Sequence, residues 1–350
     1  MDNTMKILSV IQRYGLDMRP INELYKIETS GYIKYNFISN DRLQTIFRYE
    51  SEFQNVLGTN AWIDSKNGLV SIYVPKKGVF PISSIITHDF YKNHSSVLKI
   101  ALGETPDGDL VIGDLEKWVH VLIAGVPGSG KSTFLHVIIN CLMMQKPEDV
   151  RMIMFDLKQV ELMRYNELPH LLAPVITNIE KVEDELVYLI SEMNRRYAML
   201  RNTNCSNIQQ YRSRGNSMPY LVVIIDELAE IILQDKDLEK QIIRLAQKGR
   251  ACGIHLVIAT QKPIAEVVTS LIKGNIDTRI SFKVASHYDS IVILDSPGAE
   301  KLGKCGDMLL RDEDGLTRLH CCYISHNEIE QNILKYRNLI TPDFVLRICK

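Results

Sequence analysis

The sequence predicts an α/β fold in which helices cover a mainly parallel β-sheet, preceded by a small α+β domain. Three observations support this prediction. After residue 118, short apolar runs alternate with helical stretches, which is typical of a parallel sheet covered by helices. Before that point, strand-like alternation and turn residues prevail over 31–113. A glycine-rich segment, 125–130, lies directly between an apolar strand and a helix.

Composition restricts the classes of function. The chain has 350 residues, 45% of them hydrophobic and 24% charged, as in an ordinary globular protein with room for a large and a small domain. The formal net charge is −1, so any site for a polyanion must be a local patch. Seven cysteines without CxxC or zinc-ligand spacing favour reduced thiols. No apolar run approaches the ~20 residues that span a bilayer, so a cytoplasmic protein is expected, held at any membrane by a partner.

The elements before residue 113 are predicted from local patterns. A short helix is expected over 4–14, strands over 32–38 and 68–74, and a helix over 51–58 between them. The turn-rich segment 104–108 joins strands 97–103 and 109–113 into a hairpin. The predicted organisation is an N-terminal segment 1–30, a small α+β domain 31–112, a large α/β domain 113–325 and a C-terminal helical tail 326–350.

The large domain alternates strands and helices. The predicted strands are 121–124, 151–155, 221–225, 255–259 and 278–284, and the predicted helices are 133–145, 182–201 and 238–251. Because open parallel sheets bind ligands beyond the carboxyl ends of their strands, the polar residues at those ends are the functional candidates.

The segment from Gly125 to Ser132 fits the phosphate-binding loop pattern of two glycines five residues apart followed by Lys and Ser. Glycines allow main-chain N–H groups to turn towards phosphates, and the helix N-terminus adds its positive dipole end. Lys131 is expected to contact the β- and γ-phosphates of ATP, and the Ser132 hydroxyl is expected to bind Mg²⁺. A turn that binds nothing is the alternative, but the complete pattern between a strand and a helix favours nucleotide. The candidate ATP-binding residues are Gly125, Val126, Pro127, Gly128, Ser129, Gly130, Lys131, Ser132 and Thr133.

Polar residues follow three of the predicted strands. Asp226 and Glu227 come directly after strand 221–225, where Asp226 can hold the Mg²⁺ shell and Glu227 can activate water. The alternative is an Asp helix cap followed by a first-turn Glu. Gln261 follows strand 255–259 and can sense the γ-phosphate, since its amide both donates and accepts. Asp156 and Lys158 form a further polar pair after strand 151–155, where either can simply cap a helix.

A series of segments then resembles the FtsK/SpoIIIE family of hexameric DNA translocases. The resemblance covers about residues 118–310 and keeps the family's order of motifs, which makes it far more specific than the phosphate loop alone. The matching segments are 124–132, 156–162, 168–177, 192–197, 225–229, 244–263, 271–279 and 295–309.

The resemblance implies a RecA-like P-loop ATPase that forms a homo-hexameric ring and moves double-stranded DNA, with hydrolysis stimulated by DNA. In such rings ATP lies between subunits, and a neighbour's arginine completes the site. The resemblance places that arginine at Arg250, with Arg279 as second choice. A guanidinium suits the charge that builds on phosphate oxygens. Either arginine can instead belong to a structural ion pair.

The family's DNA contacts correspond to Lys262 and Lys273, which suit sequence-independent phosphate binding. Their alternative role is that of solvated surface lysines. If neither binds DNA, the path is to be sought around Arg212 and Arg214. Lys262 itself replaces the family's arginine.

Other departures from the family concern single residues and whole domains. Leu157 replaces the usual proline, and His287 and Ile291 replace basic residues of the pore. The resemblance implies a short form without the membrane region and the winged-helix domain, as in mobile-element, plasmid or phage relatives, for DNA transfer or segregation. A membrane-bound or relaxase-like partner is not identifiable from the sequence. Two alternatives are a secretion ATPase that moves polypeptide and a nucleotide-binding switch that pumps nothing.

Overall fold

The structure is a computed structural model that describes residues 2–21, 25–66, 68–76 and 78–337. Its strands are β1 (Met18–Pro20), β2 (Lys26–Glu28), β3 (Tyr32–Ser39), β4 (Trp62–Lys66), β5 (Leu69–Pro75), β6 (Phe80–Pro81), β7 (Lys99–Glu104), β8 (Leu110–Asp114), β9 (His120–Ala124), β10 (Val150–Phe155), β11 (Tyr220–Ile225), β12 (Ile254–Thr260), β13 (Thr278–Ser281), β14 (Asp307–Asp312) and β15 (Gly315–Tyr323). Its α-helices are α1 (Asn3–Tyr14), α2 (Leu43–Phe47), α3 (Glu50–Leu57), α4 (Ser83–Ile86), α5 (Asp89–Lys92), α6 (Leu115–Trp118), α7 (Lys131–Met143), α8 (Ile179–Asn202), α9 (Ile208–Ser213), α10 (Leu228–Ile232), α11 (Asp237–Lys248), α12 (Ser270–Lys273), α13 (His287–Leu294) and α14 (His326–Arg337).

The larger sheet has the strand order β10-β11-β12-β9-β13-β14-β15-β7-β8. The strands from β10 to β13 are parallel to one another, whereas those from β13 to β8 pair antiparallel. The short β6 pairs with β15 at Cys322 and Tyr323. The prediction of a mainly parallel sheet therefore describes only the first half, and the sheet as a whole is mixed. The sequence predicts the β7–β8 hairpin but assigns it to the small domain, and it does not predict β14 and β15, which form a hairpin beyond the alternating strand–helix region.

Burial explains why the parallel strands could be predicted. Every residue of β9, β11 and β12 is buried, as expected for strands covered on both faces. The helix α7 packs against β7 and β15, while α8 packs against α11. The predicted strand 278–284 is shorter in the structure, where β13 ends at Ser281. The carboxyl ends of β9, β10, β11 and β12 meet at one edge, which therefore holds the candidate site.

The smaller sheet has the order β1-β3-β5-β4, with β2 paired to β3, and all of its pairs are antiparallel. The helices α1 and α3 pack against each other, and both supply side chains to the core of this sheet, including Ile7 and Phe53. The predicted helices 4–14 and 51–58 and the strands 32–38 and 68–74 are confirmed to within two residues.

The predicted hairpin 97–113 is also confirmed, as β7 paired antiparallel with β8. Its β7 strand pairs with β15 of the larger sheet at His320 and Cys321, so in packing the hairpin belongs to the larger sheet. The smaller core includes residues up to Val74, and the larger core begins at Phe80. The division of the chain into domains at residue 112 stays a prediction.

The C-terminal helix begins at His326, as the sequence predicts, and is described to Arg337. The rest of the predicted tail, 338–350, lies outside the described residues. Among the residues that the structure describes, none of the helices has the length and apolar character needed to cross a membrane.

Candidate nucleotide-binding site

The loop from Gly125 to Gly130 joins the end of β9 to the start of α7 in a conformation that depends on its glycines. Gly128 and Gly130 have φ angles of +73° and +118°, which side chains of L-residues rarely adopt. A Cβ atom on Gly125 would lie 2.6 Å from Ser129 Oγ and 2.8 Å from Phe282 Cβ. The glycine spacing read from the sequence is therefore a steric requirement of this turn.

Neighbouring strands hold the loop in place. The Val126 N–H donates to the Lys283 carbonyl at 2.9 Å, just beyond β13. The Gly306 N–H, just before β14, donates to the Ser129 carbonyl at 3.1 Å. The phosphate loop is thus fixed by both the parallel and the antiparallel halves of the sheet.

Lys131 and Asp226 meet at the edge of the sheet, as the sequence predicts. The Lys131 ammonium donates to Asp226 Oδ1 and to the Asp226 carbonyl, each at 3.1 Å, and both side chains are buried. Burial raises the pKa of Asp226, while the neighbouring Lys131 charge opposes this rise. The lysine is thus paired with a carboxylate. The phosphates of a nucleotide are also anions with oxygen acceptors, so the same ammonium group can bind them.

Glu227 lies at the end of β11 among residues from the end of β12. Its Oε1 accepts from the Thr260 hydroxyl at 2.6 Å, and its two oxygens accept from the Gln261 N–H at 3.1 and 3.0 Å. Lys158 Nζ lies 3.6 Å from Glu227 Oε2. Glu227 also caps α10 by accepting from the Ala229 N–H at 3.4 Å. The carboxylate therefore has both a capping role and a fixed orientation at the sheet edge.

Asp156, at the end of β10, is completely enclosed. Its Oδ2 accepts the N–H groups of Val160, Glu161 and Leu162 at 3.0, 3.0 and 2.9 Å, so Asp156 holds the loop after β10 and does not cap a helix. Its Oδ1 is buried and has no hydrogen-bond partner among the described residues. The charge of Asp156 contributes to the raised pKa of Asp226.

The oxygen atoms at this edge are suited to Mg²⁺, which prefers hard oxygen ligands. They include the Ser132 hydroxyl, the Asp226 carboxylate and the unpartnered Oδ1 of Asp156. Because that buried oxygen lacks a partner of its own, an ion or its water can satisfy it. The residues present therefore fit the metal that the sequence predicts.

Three further residues line the phosphate cleft and were not predicted: His136, Glu161 and His326. Glu161 Oε2 lies 3.3 Å from His136 Nε2, and His136 Nδ1 lies 2.9 Å from the Tyr165 hydroxyl. Hydrogen bonds from His136 and Ser132 lower the pKa of Glu161 to about 2. One signal was available, because His136 follows Ser132 by four residues and so lies on the same face of α7. Nothing local pointed to Glu161 or His326.

Arg250 lies at the opposite edge of the sheet. It precedes β12, whereas the phosphate loop packs beside the end of β12, so about seven residues of strand, or roughly 23 Å, separate the two levels. The side chain is exposed and forms no hydrogen bond or ion pair with another described residue. It lines a cleft of about 370 Å³ together with Asn275 and Glu313. Arg250 cannot reach the phosphate loop of its own chain.

Arg279 and Lys273 are both engaged with Asp295. Arg279 is buried, its Nη1 lies 2.5 Å from Asp295 Oδ2, and its other N–H groups donate to the carbonyls of Ile276 and Lys273. Lys273 Nζ lies 2.8 Å from Asp295 Oδ1. For Arg279, the structural ion pair that the sequence left open as an alternative is therefore what the structure has.

The two lysines predicted to bind DNA are not brought together. Lys262 is exposed after the carboxyl end of β12, whereas Lys273 lies beside the start of β13, and both strands run parallel to β9. The alternative DNA-binding arginines are also engaged within the protein. Arg212 lies 2.5 Å from Asp149, and Arg214 donates to the Thr203 carbonyl at 2.6 Å.

A loop whose turns require glycine lies between a strand and a helix, and a buried lysine faces an acidic strand end, which is the arrangement of a P-loop nucleotide-binding fold. Solved structures agree with this fold. The conjugation coupling protein TcpA of pCW3, solved with ATPγS, superposes with a TM-score of 0.67 and 26% identity over 96% of this chain and 99% of TcpA. The cytoplasmic domain of the Type VII secretion ATPase EccC from Thermomonospora curvata gives 0.66 and 23% identity over 74% of this chain and 34% of that one.

The chain belongs to the FtsK/SpoIIIE family, whose model matches residues 82–265, more than half of its length. It is similar to proteins named DNA translocase FtsK from Clostridium acetobutylicum (42% identity over 95% of this chain and 46% of the relative) and Clostridium tetani (42%, 75% and 37%). DNA translocase SftA from Bacillus subtilis is 40% identical over 81% of this chain and 31% of its own length. The chain thus spans a third to a half of these relatives.

Proposed function

We propose that the protein is an ATP-driven translocase of double-stranded DNA that works as a homo-hexameric ring of RecA-like domains. Its place of action is the cytoplasm, and its process is DNA transfer or segregation. The observation that carries this proposal is the convergence of Lys131, Asp226 and Glu227 at one sheet edge, within the segment that matches the family. The names of the relatives supply the cargo, since those proteins are DNA translocases.

The phosphate loop would hold ATP through residues 125–133, with Lys131 moving from Asp226 to the β- and γ-phosphates. Ser132 and Asp226 would hold Mg²⁺, which, when bound, neutralises charge on the phosphate oxygens. Releasing Lys131 leaves the buried Asp226 carboxylate without its cation, and a bound cation restores the balance of charge. The pairing of Lys131 and Asp226 is therefore one that nucleotide binding replaces.

Glu227 is the residue proposed to activate water. Two groups, the Thr260 hydroxyl and the Gln261 N–H, donate hydrogen bonds to it and so fix its orientation at the sheet edge. Because Gln261 is tied to Glu227 through its main chain, its side chain in the phosphate cleft is free to contact the γ-phosphate. A change at the γ-phosphate would thus be transmitted directly to the end of β12.

Arg250 is the residue proposed to complete a neighbouring subunit's site. Its exposure, its lack of a partner among the described residues and its place at the edge opposite the phosphate loop all suit an action in trans. Arg279 does not suit this role, because it is buried against Asp295. A ring is the arrangement that brings each free arginine to the next subunit's ATP.

Lys262 and Lys273 are proposed to contact DNA phosphates. Lys262 is the stronger candidate, since it is exposed and directly follows Gln261, so hydrolysis at Glu227 can move it. Lys273 shares Asp295 with Arg279, so it contributes as part of a cluster whose charge is partly compensated. Cations that ignore base identity suit a motor that must move along any sequence.

ATP hydrolysis measured with and without duplex DNA, together with displacement of a triplex strand from duplex DNA, tests this function. The expected result is DNA-stimulated turnover and ATP-dependent displacement, with Glu227→Gln binding ATP but not hydrolysing it. If the rate of ATP hydrolysis does not change with DNA and no strand is displaced, the proposal that DNA is the cargo is refuted, whereas the proposed ATPase activity stands. Turnover at the normal rate in Glu227→Gln would refute the role of that carboxylate.

A further inference from the structure

The segment 192–197 of α8 resembles the family, but the proposed chemistry gives none of its residues a role. The helix α8 packs against α11 and also contacts the short 3₁₀ turn Arg250–Cys252 that follows α11. The place of this turn sets the point from which the exposed Arg250 side chain extends. What holds the turn therefore bears on what Arg250 can reach.

Two adjacent residues of α8 hold the main chain on both sides of Arg250. Arg196 Nη1 donates to the Cys252 carbonyl at 3.0 Å. The Tyr197 hydroxyl donates to the Lys248 carbonyl at 2.7 Å. The first carbonyl lies two residues after Arg250, and the second lies two residues before it. The turn is thus fixed at two points, while the side chain that it carries stays exposed.

Arg196 is itself buried and engaged on both sides of its guanidinium. It is 2% exposed, and its Nε donates to Glu192 Oε1 at 2.9 Å, while Nη1 also donates to the Pro219 carbonyl at 2.8 Å. Although burial favours the neutral form of Glu192, hydrogen bonds from Arg195 and Arg196 hold the pKa of this carboxyl below its usual range. One planar guanidinium therefore joins a carboxylate to the main chain just before β11 and β12, a geometry that the point charge of a lysine does not reproduce.

We propose that Arg196 and Tyr197 are positioning residues for ATP hydrolysis in the neighbouring subunit, because they fix the turn from which Arg250 reaches the neighbour's ATP. The inference rests on the proposed trans role of Arg250 and adds what holds that arginine in place. A displacement of about 1 Å at a catalytic group can lower a rate by ~10²-fold. Loss of either contact therefore slows hydrolysis although neither side chain touches nucleotide.

The first variant is Arg196→Lys, which keeps a positive charge beside Glu192 and removes the planar fork. Its kcat is expected to fall by ~10–100-fold while its Kd for ADP stays within about twofold of the wild type, because the phosphate loop lies at the opposite edge of the sheet. The matched control is Arg195→Lys. Arg195 pairs with the same Glu192 and is 60% exposed, and none of its hydrogen bonds to described residues reaches a main-chain carbonyl, so its kcat should equal that of the wild type.

The second variant is Tyr197→Phe, which removes only a hydroxyl from a half-buried ring and so should fold normally. Its kcat is expected to fall by about threefold to tenfold, since one of the two contacts with the turn remains. The control is Tyr73→Phe, which removes a hydroxyl contact with Asp107 beside the smaller sheet and should leave kcat unchanged. If circular dichroism shows that Arg196→Lys does not fold, Tyr197→Phe takes its place in the mixing test that follows.

Mixed rings show in which subunit the defect acts. Arg196→Lys mixed with Lys131→Ala should hydrolyse ATP faster than the two proteins measured separately, because a mixed interface pairs an intact phosphate loop with a well-placed arginine. Arg196→Lys mixed with Arg250→Ala should show no such gain, since both proteins present a defective arginine. A purely structural role, in which Arg196 and Tyr197 only satisfy free carbonyls, predicts lower stability without this pattern.

The inference is overturned by wild-type kcat in either variant, by any gain on mixing with Arg250→Ala, or by no gain on mixing with Lys131→Ala. The mixture of Arg250→Ala with Lys131→Ala separates this inference from the proposed function. If that mixture recovers turnover and the Arg196→Lys mixture does not, the trans role of Arg250 stands and only the positioning role fails. If that mixture does not recover turnover in assembled rings, both fail.

Discussion

Replacing Asp307 with Asn tests how the smaller sheet is connected to the phosphate loop. Asp307 is buried at the start of β14 and accepts four hydrogen bonds: from the Tyr32 hydroxyl at 2.7 Å, from Arg318 Nε and Nη2 at 2.9 and 2.6 Å, and from the Gly303 N–H at 2.7 Å. These donors hold the pKa of Asp307 below its usual range despite burial, chiefly through Arg318. The next residue towards the N-terminus, Gly306, holds the phosphate loop through Ser129.

The expected loss of unfolding free energy follows from the buried ion pair between Asp307 and Arg318. The side chain of Arg318 is only 17% exposed and that of Asp307 only 4%, so Asp307→Asn leaves a largely buried guanidinium without its counter-charge. Removing one partner of a buried pair costs about 3–5 kcal/mol of unfolding free energy. Tyr32→Phe removes one hydrogen bond to the same carboxylate and should cost less, about 1.5–3 kcal/mol.

Urea unfolding followed by tryptophan fluorescence measures both variants, because Arg318 stacks on Trp62 with its guanidinium 3.4 Å from the ring centroid. Asp307→Asn should also raise the Kd for ADP, since Gly306 and the phosphate loop lose their fixed neighbour. Asp237→Asn, the same substitution in an exposed ion pair with Lys240, is the control and should leave the unfolding midpoint unchanged. The reasoning is refuted if Asp307→Asn loses less than about 1 kcal/mol or is no less stable than Tyr32→Phe.

Three further predictions concern the ring, DNA and pH. Arg250→Ala should bind ATP nearly normally and hydrolyse it slowly, and mixing it with Lys131→Ala should restore turnover, because a mixed interface pairs an intact loop with an intact arginine. Replacing Lys262 and Lys273 with Ala should weaken duplex binding on all sequences and flatten the slope of log K against log salt by about 0.9 per lost contact. Burial lowers the pKa of His255 to about 4, so the unfolded chain, with its pKa of about 6.5, takes up a proton that the native protein excludes. Unfolding free energy should therefore be full above about pH 6.5 and fall by up to ~3 kcal/mol towards pH 4.

Each of these predictions has its own contradicting outcome. No recovery at any mixing ratio, with ring assembly confirmed by sedimentation, would exclude the trans role of Arg250. An unchanged salt slope in the double variant would make Lys262 and Lys273 ordinary surface residues. For the third, urea titrations at several pH values compare the wild type with His255→Gln, and a variant that loses as much stability on acidification as the wild type would exclude His255 as the source.

The candidate site was largely predictable where its signals are local. The buried strands β9, β11 and β12 are short apolar runs, and in parallel strands their polar ends must meet at one edge. That is why the sequence predicts Asp226, Glu227 and Gln261 as site residues, of which Glu227 and Gln261 are hydrogen-bonded in the structure. Glu161 could not be predicted in this way, because it lies in the loop after β10 and not at a strand end. It contacts Ser132 only when that loop packs over α7.

The roles of the basic residues were decided by contacts between distant parts of the chain. The local sequence does not show which of Arg250 and Arg279 is available to act in a neighbouring subunit's site, since both lie in segments that resemble the family. The structure separates them because Asp295, which follows α13, pairs with Arg279 and Lys273, whereas Arg250 is exposed and pairs with none of the described residues.

The sequence by itself determined the class of fold, the phosphate loop and the acidic strand ends, because periodicity, glycine spacing and strand-terminal polarity act over about ten residues. The tertiary structure alone decided that the sheet is mixed, which arginine is free, and that Asp307 joins the smaller sheet to the loop. The bond from Tyr32 to Asp307 links residues that are 275 positions apart. Such a contact forms only when the two sheets pack against each other, and the buried Asp307 carboxylate then stabilises both of them.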